Sequence, residues 1–210
     1  MSIGERIGET ISLFEAGNIP GALLPLSTAV DATATREYPQ KKTGEAYKSF
    51  IKDNLSLIST IALGYTIEDF SLAYCHAKLK SQVDGLSTME EVIYHVIRCD
   101  LIHVAGLPAD IQFVWEKRIQ AGSPLVLPAG LVPALVAAVI VSPVNCSEHF
   151  PDCNLNVGRR DIALTAFRGR KNKLLESLVG SSDDRGAIVR LRGTGRMIFG
   201  HPSEEQKESQ

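Results

Sequence analysis

Apolar side chains recur every three or four residues through the first half of the chain, which is the spacing of amphipathic helices. The pattern predicts three helices, over residues 3–15, 20–38 and 44–63. A fourth helix is expected to begin at a capping box of Ser87 and Glu90, in which each side chain bonds a free backbone N–H, and to reach His103. The fold class is therefore expected to be mainly α.

The most apolar stretch of the chain runs from Leu125 to Val144. Three prolines and one glycine interrupt it, whereas a membrane-spanning helix needs roughly 20 uninterrupted apolar residues. The better interpretation is a buried core helix over residues 127–141. No contact with a membrane is expected.

The remaining sequence has a less regular pattern, with short alternating runs and clusters of turn residues. Beyond residue 110 the predicted elements are a β-hairpin or an irregular arm at 111–127, a loop at 142–158, a helix at 159–179 and a small hairpin near 187–199. This divides the chain into a helical domain, residues 1–180, and a C-terminal hairpin and tail, residues 181–210. The last ten residues are charged and polar, so we expect them to be disordered.

Charge and cysteine content narrow the function classes. The formal net charge is −2 and the sequence pI is about 6.2, so a nucleic-acid site would have to be a local basic patch. Four cysteines are present, and the first residues lack the apolar core of a signal peptide. These features predict reduced thiols and a cytoplasmic protein.

The clearest candidate for chemistry is the stretch Arg98-Cys-Asp-Leu-Ile-His103. It supplies a permanent cation, the Asp100 carboxylate and an imidazole that titrates near neutral pH. These groups suit cleavage of a phosphodiester without a metal, because RNA provides its own nucleophile in the 2′-OH. On an ideal helix the two ends of the stretch are about 140° apart. They converge only if the helix ends or bends near Leu101, or if a partner supplies half of the site. Alternatively, the Arg and His only complement the partial charge at a helix C-terminus.

Residues 86–103 resemble the late helix of HEPN domains, whose signature is an Arg, four to six further residues and a His. Tyr94, four residues before the Arg, fits the same pattern. Residues 19–34 resemble the first long helix of the family, with Asp31 at its acidic position. The resemblance covers about residues 3–145 and implies an antiparallel helical bundle that dimerises.

Active HEPN proteins are metal-independent endoribonucleases, often toxins or agents of defence against phage. The resemblance implies that Arg98 stabilises the scissile phosphate and that His103 is the general acid and base. Supporting roles are implied for Asp31, Tyr94 and Asp100. The implied partners are RNA, a second copy of the chain and a cognate antitoxin or defence-system protein, and no cofactor is expected. This chain has Cys99 after the Arg, where many active members have Asn, Asp or His. Because other members bind without cutting, the alternative is a non-catalytic module that binds RNA, a nucleotide or a protein. A third hypothesis is a purely structural partner, such as the inert half of a toxin–antitoxin or defence assembly.

Two further clusters carry weaker signals. Basic residues in the predicted helix at 159–179 could bind an RNA backbone or form a solvated helix face. The candidates are Arg159, Arg160, Arg168, Arg170, Lys171 and Lys173. Cys146, His149 and Cys153 are close in sequence, but a structural zinc site usually needs four ligands. We therefore expect packed or solvated thiols and no metal.

Overall fold

The computed structural model describes residues 1–74, 76–79, 85–103, 106–157, 160–179 and 190–193. The helices are α1 (Ile3–Glu15), α2 (Ile19–Glu37), α3 (Thr43–Asp53), α4 (Leu55–Leu63), α5 (Met89–Glu91), α6 (Cys99–His103), α7 (Leu131–Val141) and α8 (Lys171–Val179). A π-helical segment, Val92–Arg98, joins α5 to α6, and 3₁₀ turns occupy Pro143–Asn145 and Leu164–Phe167. The strands are β1 (Ser71–Ala73), β2 (Leu86–Thr88), β3 (Ile111–Val114), β4 (Leu125–Pro128), β5 (Cys153–Val157), β6 (Arg160–Ala163) and β7 (Arg190–Gly193). The described fold is mainly α-helical, with three small sheets.

The first two helices form as the sequence predicts, because local capping and an apolar stripe agree. The Ser2 hydroxyl accepts a hydrogen bond from the Glu5 backbone, and the Glu5 carboxylate accepts one from the Ser2 backbone. This capping box satisfies two backbone donors at the start of α1. The side chain of Asn18 caps α2 by accepting from the Gly21 N–H at 2.9 Å. The apolar stripe of α1 is buried and packs against α2.

Helix α7 lies in the core, and all of its residues are buried. It packs against α2, α4 and α8. The predicted buried helix is therefore confirmed, although it begins at Leu131 rather than at residue 127. Its expected first residues instead form β4, which pairs with β3. No helix in the described part of the chain is long and apolar enough to span a membrane.

Two helices in the first half of the chain also have boundaries that differ from the prediction. The helix expected over residues 44–63 is divided at Asn54, where the backbone leaves the helical region and the side-chain amide donates to the Phe50 carbonyl. The helix expected to start at Ser87 starts instead at Met89. Ser87 lies in β2, and its hydroxyl donates to the Tyr74 carbonyl, so it does not form a capping box. Pairing of β2 with β1 has replaced the local capping interaction.

The region at 111–127 is a parallel strand pair rather than a hairpin, with Ile111 in register with Leu125. The turn residues do reverse the chain, because Gln120 forms an antiparallel bridge with Val126. The segment between β3 and β4 thus reverses direction before β4 begins, and β4 runs parallel to β3.

The region around residues 142–179 departs most from the prediction. Within the expected loop, Cys153–Val157 is a strand, and the expected helix at 159–179 is divided into β6, a 3₁₀ turn and α8. Gly169 has a positive φ of 67°, so the chain changes direction just before α8 begins. Strand β5 is central in a sheet of order β6-β5-β7. Helix α1 packs against β7, where Glu15 accepts from the Gly193 N–H at 2.9 Å. The strand predicted at 196–199 and the last ten residues lie outside the described residues.

The fully buried Asn145 ties three elements together, which predicts a large stability cost for its removal. Its amide donates to the Thr33 hydroxyl and the Val139 carbonyl, each at 2.9 Å, and its carbonyl accepts from Arg36. Asn145→Ala would leave a buried carbonyl of α7 without a donor, so the free energy of unfolding should fall by roughly 2–3 kcal/mol. Urea unfolding followed by far-UV circular dichroism measures this. Asn172→Ala, at an exposed position of α8, is the matched control; an equal loss in both variants would contradict the assignment.

Candidate functional site

The candidate site is built on one helical stretch, α5 through α6, whose middle is a π-helix. The Cys99 N–H donates to the Tyr94 carbonyl five residues earlier, rather than four as in an α-helix. π-helical segments are rare and frequently occur at functional sites, because the wider turn changes the direction of nearby side chains. Here the segment ends at Arg98, the residue on which the sequence-based hypothesis rests.

Arg98 is held by Asp31 of α2, which is 67 residues earlier in the chain. The guanidinium donates to Asp31 Oδ2 from Nε at 3.0 Å and from Nη2 at 2.6 Å. Both side chains are only 15% exposed. An ion pair in such a setting fixes the guanidinium firmly, because neither charge can be left alone at low exposure without a large cost. The side chain is therefore preorganised rather than free to swing into solvent.

The carboxylate of Asp31 is only partly satisfied. Oδ1 is buried and has no hydrogen-bond partner among the described residues, since both guanidinium contacts use Oδ2. Burial raises the pKa of the Asp31 carboxyl, although the hydrogen bond and charge of Arg98 act in the opposite direction. The pair thus retains an acceptor atom that the described residues do not engage.

Two tyrosines complete the surroundings of Arg98. Its guanidinium lies 5.3 Å from the centre of the Tyr94 ring, within range of a cation–π interaction. The Tyr94 ring packs at 5.4 Å against the ring of Tyr47, which is fully buried. Burial raises the pKa of the Tyr47 hydroxyl well above its ordinary value. Helix α3 passes so close that a Cβ at Gly44 would lie 2.6 Å from the Tyr94 hydroxyl oxygen.

The structure brings together three of the five predicted site residues, namely Asp31, Tyr94 and Arg98. Asp100 has a different partner: its carboxylate is buried and forms an ion pair with Lys78. Helix α6 ends at His103, whose side chain lies outside the described part of the structure, so its position relative to Arg98 stays a prediction.

A family model named Rv1289 matches residues 2–189. The chain belongs to the Rv1289 family. The matched span contains all the described helices and both halves of the Asp31–Arg98 pair. No curated protein and no solved structure matches the chain.

The basic residues predicted to bind RNA lie on several elements of this Rv1289-family protein. Arg160 donates to the carbonyls of Ser177 and Leu178 near the end of α8, and Lys171 donates to the carbonyl of Asp53 at the end of α3. Cations at helix C-termini satisfy free carbonyls and complement the helix dipole.

The other basic candidates also have structural contacts or lie at the surface. Arg168 donates to the Glu148 carbonyl, and Arg170 donates to the Ala166 carbonyl. Lys173 is exposed, and Arg159 lies outside the described residues. A common RNA surface formed by this set stays a prediction.

The two cysteines of residues 146–153 lie in different environments. Cys146 is exposed, whereas Cys153 is buried in β5, and burial raises the pKa of its thiol to about 12. Within the described ranges, no three His, Cys, Asp or Glu side chains are close enough to hold a metal ion.

Sequence reasoning missed Tyr47, Gly44 and Lys78 as neighbours of the predicted site. Tyr47 lies on the apolar side of the helix predicted over residues 44–63, which agrees with its complete burial but does not predict its contact with Tyr94. Gly44 carried no signal beyond its place near a helix start. Lys78 lies in a segment without a clear pattern, so its pairing with Asp100 could not be read from spacing.

The Asp31–Arg98 pair should couple more strongly than a pair of similar length whose arginine is more exposed. A double-mutant cycle with Asp31→Asn and Arg98→Gln should give an interaction energy of about 1–3 kcal/mol in urea unfolding. Arg36–Glu148, at 2.7 Å with the Arg 46% and the Glu 17% exposed, is the comparison pair, because its arginine is far more exposed than Arg98. Its cycle should give only about 0.2–1 kcal/mol. Equal energies would mean that burial does not strengthen the Asp31–Arg98 contact.

Proposed function

We propose that this Rv1289-family protein is a metal-independent endoribonuclease of HEPN type that acts as a homodimer. The observation that carries the proposal is the contact between Asp31 and Arg98 beside Tyr94, formed by residues for which the HEPN resemblance implied a common site. A fixed guanidinium next to a helix end that carries a His supplies the two group types that RNA cleavage without a metal requires.

In the proposed reaction the RNA 2′-OH attacks the adjacent phosphorus. The bond from the 2′ oxygen to phosphorus forms as the bond from phosphorus to the 5′ oxygen breaks. A histidine base takes the 2′-OH proton, and an imidazolium gives a proton to the leaving 5′ oxygen. The products are a 2′,3′-cyclic phosphate and a 5′-OH end. His103 of the two subunits would supply these proton transfers.

Arg98 would stabilise the negative charge that grows on the phosphate oxygens. Its existing contact with Asp31 holds the guanidinium in place before substrate binds, so little ordering is needed during the reaction. A toxin or phage-defence role, with a cognate inhibitor as partner, belongs to the same proposal.

The second candidate is a non-catalytic module that binds RNA, a nucleotide or a protein partner. One observation favours it: the Asp31 carboxylate already neutralises Arg98, and the pair is mostly buried. A phosphate would have to compete with this internal anion. Under this alternative the pair has a structural role, and binding takes place elsewhere on the surface.

Cleavage of RNA in EDTA should distinguish the two candidates. Wild-type protein should convert a mixed-sequence RNA into fragments that end in a 2′,3′-cyclic phosphate. His103→Ala should slow cleavage roughly 100-fold or more, because it removes the proton-transfer group. Arg98→Lys should also impair cleavage, since Lys keeps the charge but loses the planar fork of donors. Gel electrophoresis and mass spectrometry of the fragment ends give the readout.

His149→Ala is the matched control, because His149 is exposed and lies outside the proposed site; its cleavage rate should equal that of wild type. A requirement for Mg²⁺, or full activity in His103→Ala, would refute the mechanism. If wild type leaves RNA intact while still binding it, the non-catalytic module is the better assignment.

A further inference from the structure

The outer face of the β6-β5-β7 sheet is polar, and side-chain hydrogen bonds connect two of its strands. The inner residues Cys153, Leu155 and Val157 of β5 are buried, so the alternate residues Asn154 and Asn156 face outward. Their side-chain amides both donate to the Asp161 carboxylate of β6, at 3.0 Å and 2.9 Å. One carboxylate thus orients two side chains of the neighbouring strand.

On the other side of β5, two arginines of β7 are in register with these asparagines. Arg190 is opposite Asn156, and Arg192 is opposite Asn154. Both arginines are exposed, and the intervening Leu191 is buried. Residues two apart on a strand share a face and lie about 6.6 Å apart along it. The side chains of Arg190 and Arg192 therefore leave the edge strand β7 on the same face of the sheet, at neighbouring positions along the strand.

Among the described residues, no anionic group binds the guanidinium of Arg190 or Arg192, whereas most of the basic candidates at residues 159–173 have hydrogen-bond partners. Within the described residues, neither Arg190 nor Arg192 forms a salt bridge or a side-chain hydrogen bond. Asp161 is two strands away, about 9.6 Å at ordinary strand spacing, and its oxygens already accept from the asparagines. Arg160, Arg168, Arg170 and Lys171, by contrast, donate to backbone carbonyls.

We infer that this outer sheet face is a binding track for the phosphate backbone of single-stranded RNA, with Arg190 and Arg192 contacting successive phosphates. The inference rests on the proposed function, because a ribonuclease must hold the strand beyond the cleaved bond. Arg98 is only 15% exposed and paired with Asp31, so it offers little sequence-independent affinity. A planar guanidinium fork matches phosphate oxygens and gives binding that weakens with salt.

The test uses the full chain and a fluorescent, single-stranded 2′-O-methyl oligouridylate. The 2′-O-methyl group removes the nucleophile, so binding is measured without cleavage. Fluorescence anisotropy at several salt concentrations gives the slope of log affinity against log salt. Arg190→Gln/Arg192→Gln should reduce that slope by about 1.4, because each lost phosphate contact on a single strand contributes about 0.7. Arg190→Lys/Arg192→Lys, which keeps both charges, should retain most of the slope.

Lys42→Gln/Lys52→Gln is the matched control, since it removes two exposed charges from the two ends of α3, which is not part of the sheet. It should leave the slope close to that of wild type. Far-UV circular dichroism checks that each double variant is folded; if one is not, the single arginine variants should each reduce the slope by about 0.7.

Three outcomes would overturn the track: no binding by wild type, an unchanged slope in the arginine variant, or an equal change in the lysine control. Displacement of the RNA by a poly-glutamate peptide at equal concentration would instead indicate an acidic protein partner and would also overturn it. Full cleavage activity in His103→Ala, or no cleavage by wild type, would refute the ribonuclease but leave the track if RNA still binds. An unchanged salt slope in the arginine variant would refute only the track.

Discussion

The burial of α2 is the constraint on which the rest of the structure depends. This helix packs against α1, α3 and α7 and against the helical stretch that carries Arg98. A polar side chain that faces such neighbours must find a hydrogen-bond partner, because an unpaired buried polar group is costly. Thr33 meets Asn145, and Asp31 meets Arg98. These two contacts come from residues only two positions apart, which lie on opposite sides of α2, about 200° apart around its axis. They tie the helix to two separate parts of the chain.

The parts of the fold that could be predicted are those in which local and long-range preferences agree. Helix α1 has both a capping box and a continuous apolar stripe, so tertiary packing only adds to what its sequence already favours. Apart from Gly169, the region at 159–179 consists of residues that a helix accommodates, but its first part pairs with β5. There Ile162 is in register with Leu155, and Asp161 accepts from the asparagines of β5. Such pairing depends on a partner strand elsewhere in the chain. A segment of four residues is also too short to show either the helical or the strand period of apolar residues.

The same distinction applies to the candidate site. Tyr94 and Arg98 are one turn apart on a strongly apolar helix, so their proximity follows from sequence spacing. Asp31 could be linked to them only through the family resemblance, because no spacing rule connects residues 67 positions apart. Asp100 was grouped with Arg98 on sequence proximity, yet neighbouring residues on a helix point in different directions. Its buried carboxylate forms its ion pair with Lys78 from a separate segment.

The pairing of Arg98 with Asp31 also bears on how a phosphate could use this cation. The Asp31 carboxylate weakens the attraction between Arg98 and the phosphate of a bound substrate before the reaction begins, since the two anions compete for one guanidinium. Catalysis requires only that the interaction strengthen as charge grows on the transferring phosphate. An arginine that a carboxylate neutralises and holds in place is therefore compatible with weak binding of the phosphate at the cleaved bond, provided that other residues bind the rest of the RNA strand. The exposed Arg190 and Arg192, outside the paired networks of the core, have the chemical character for that separate task.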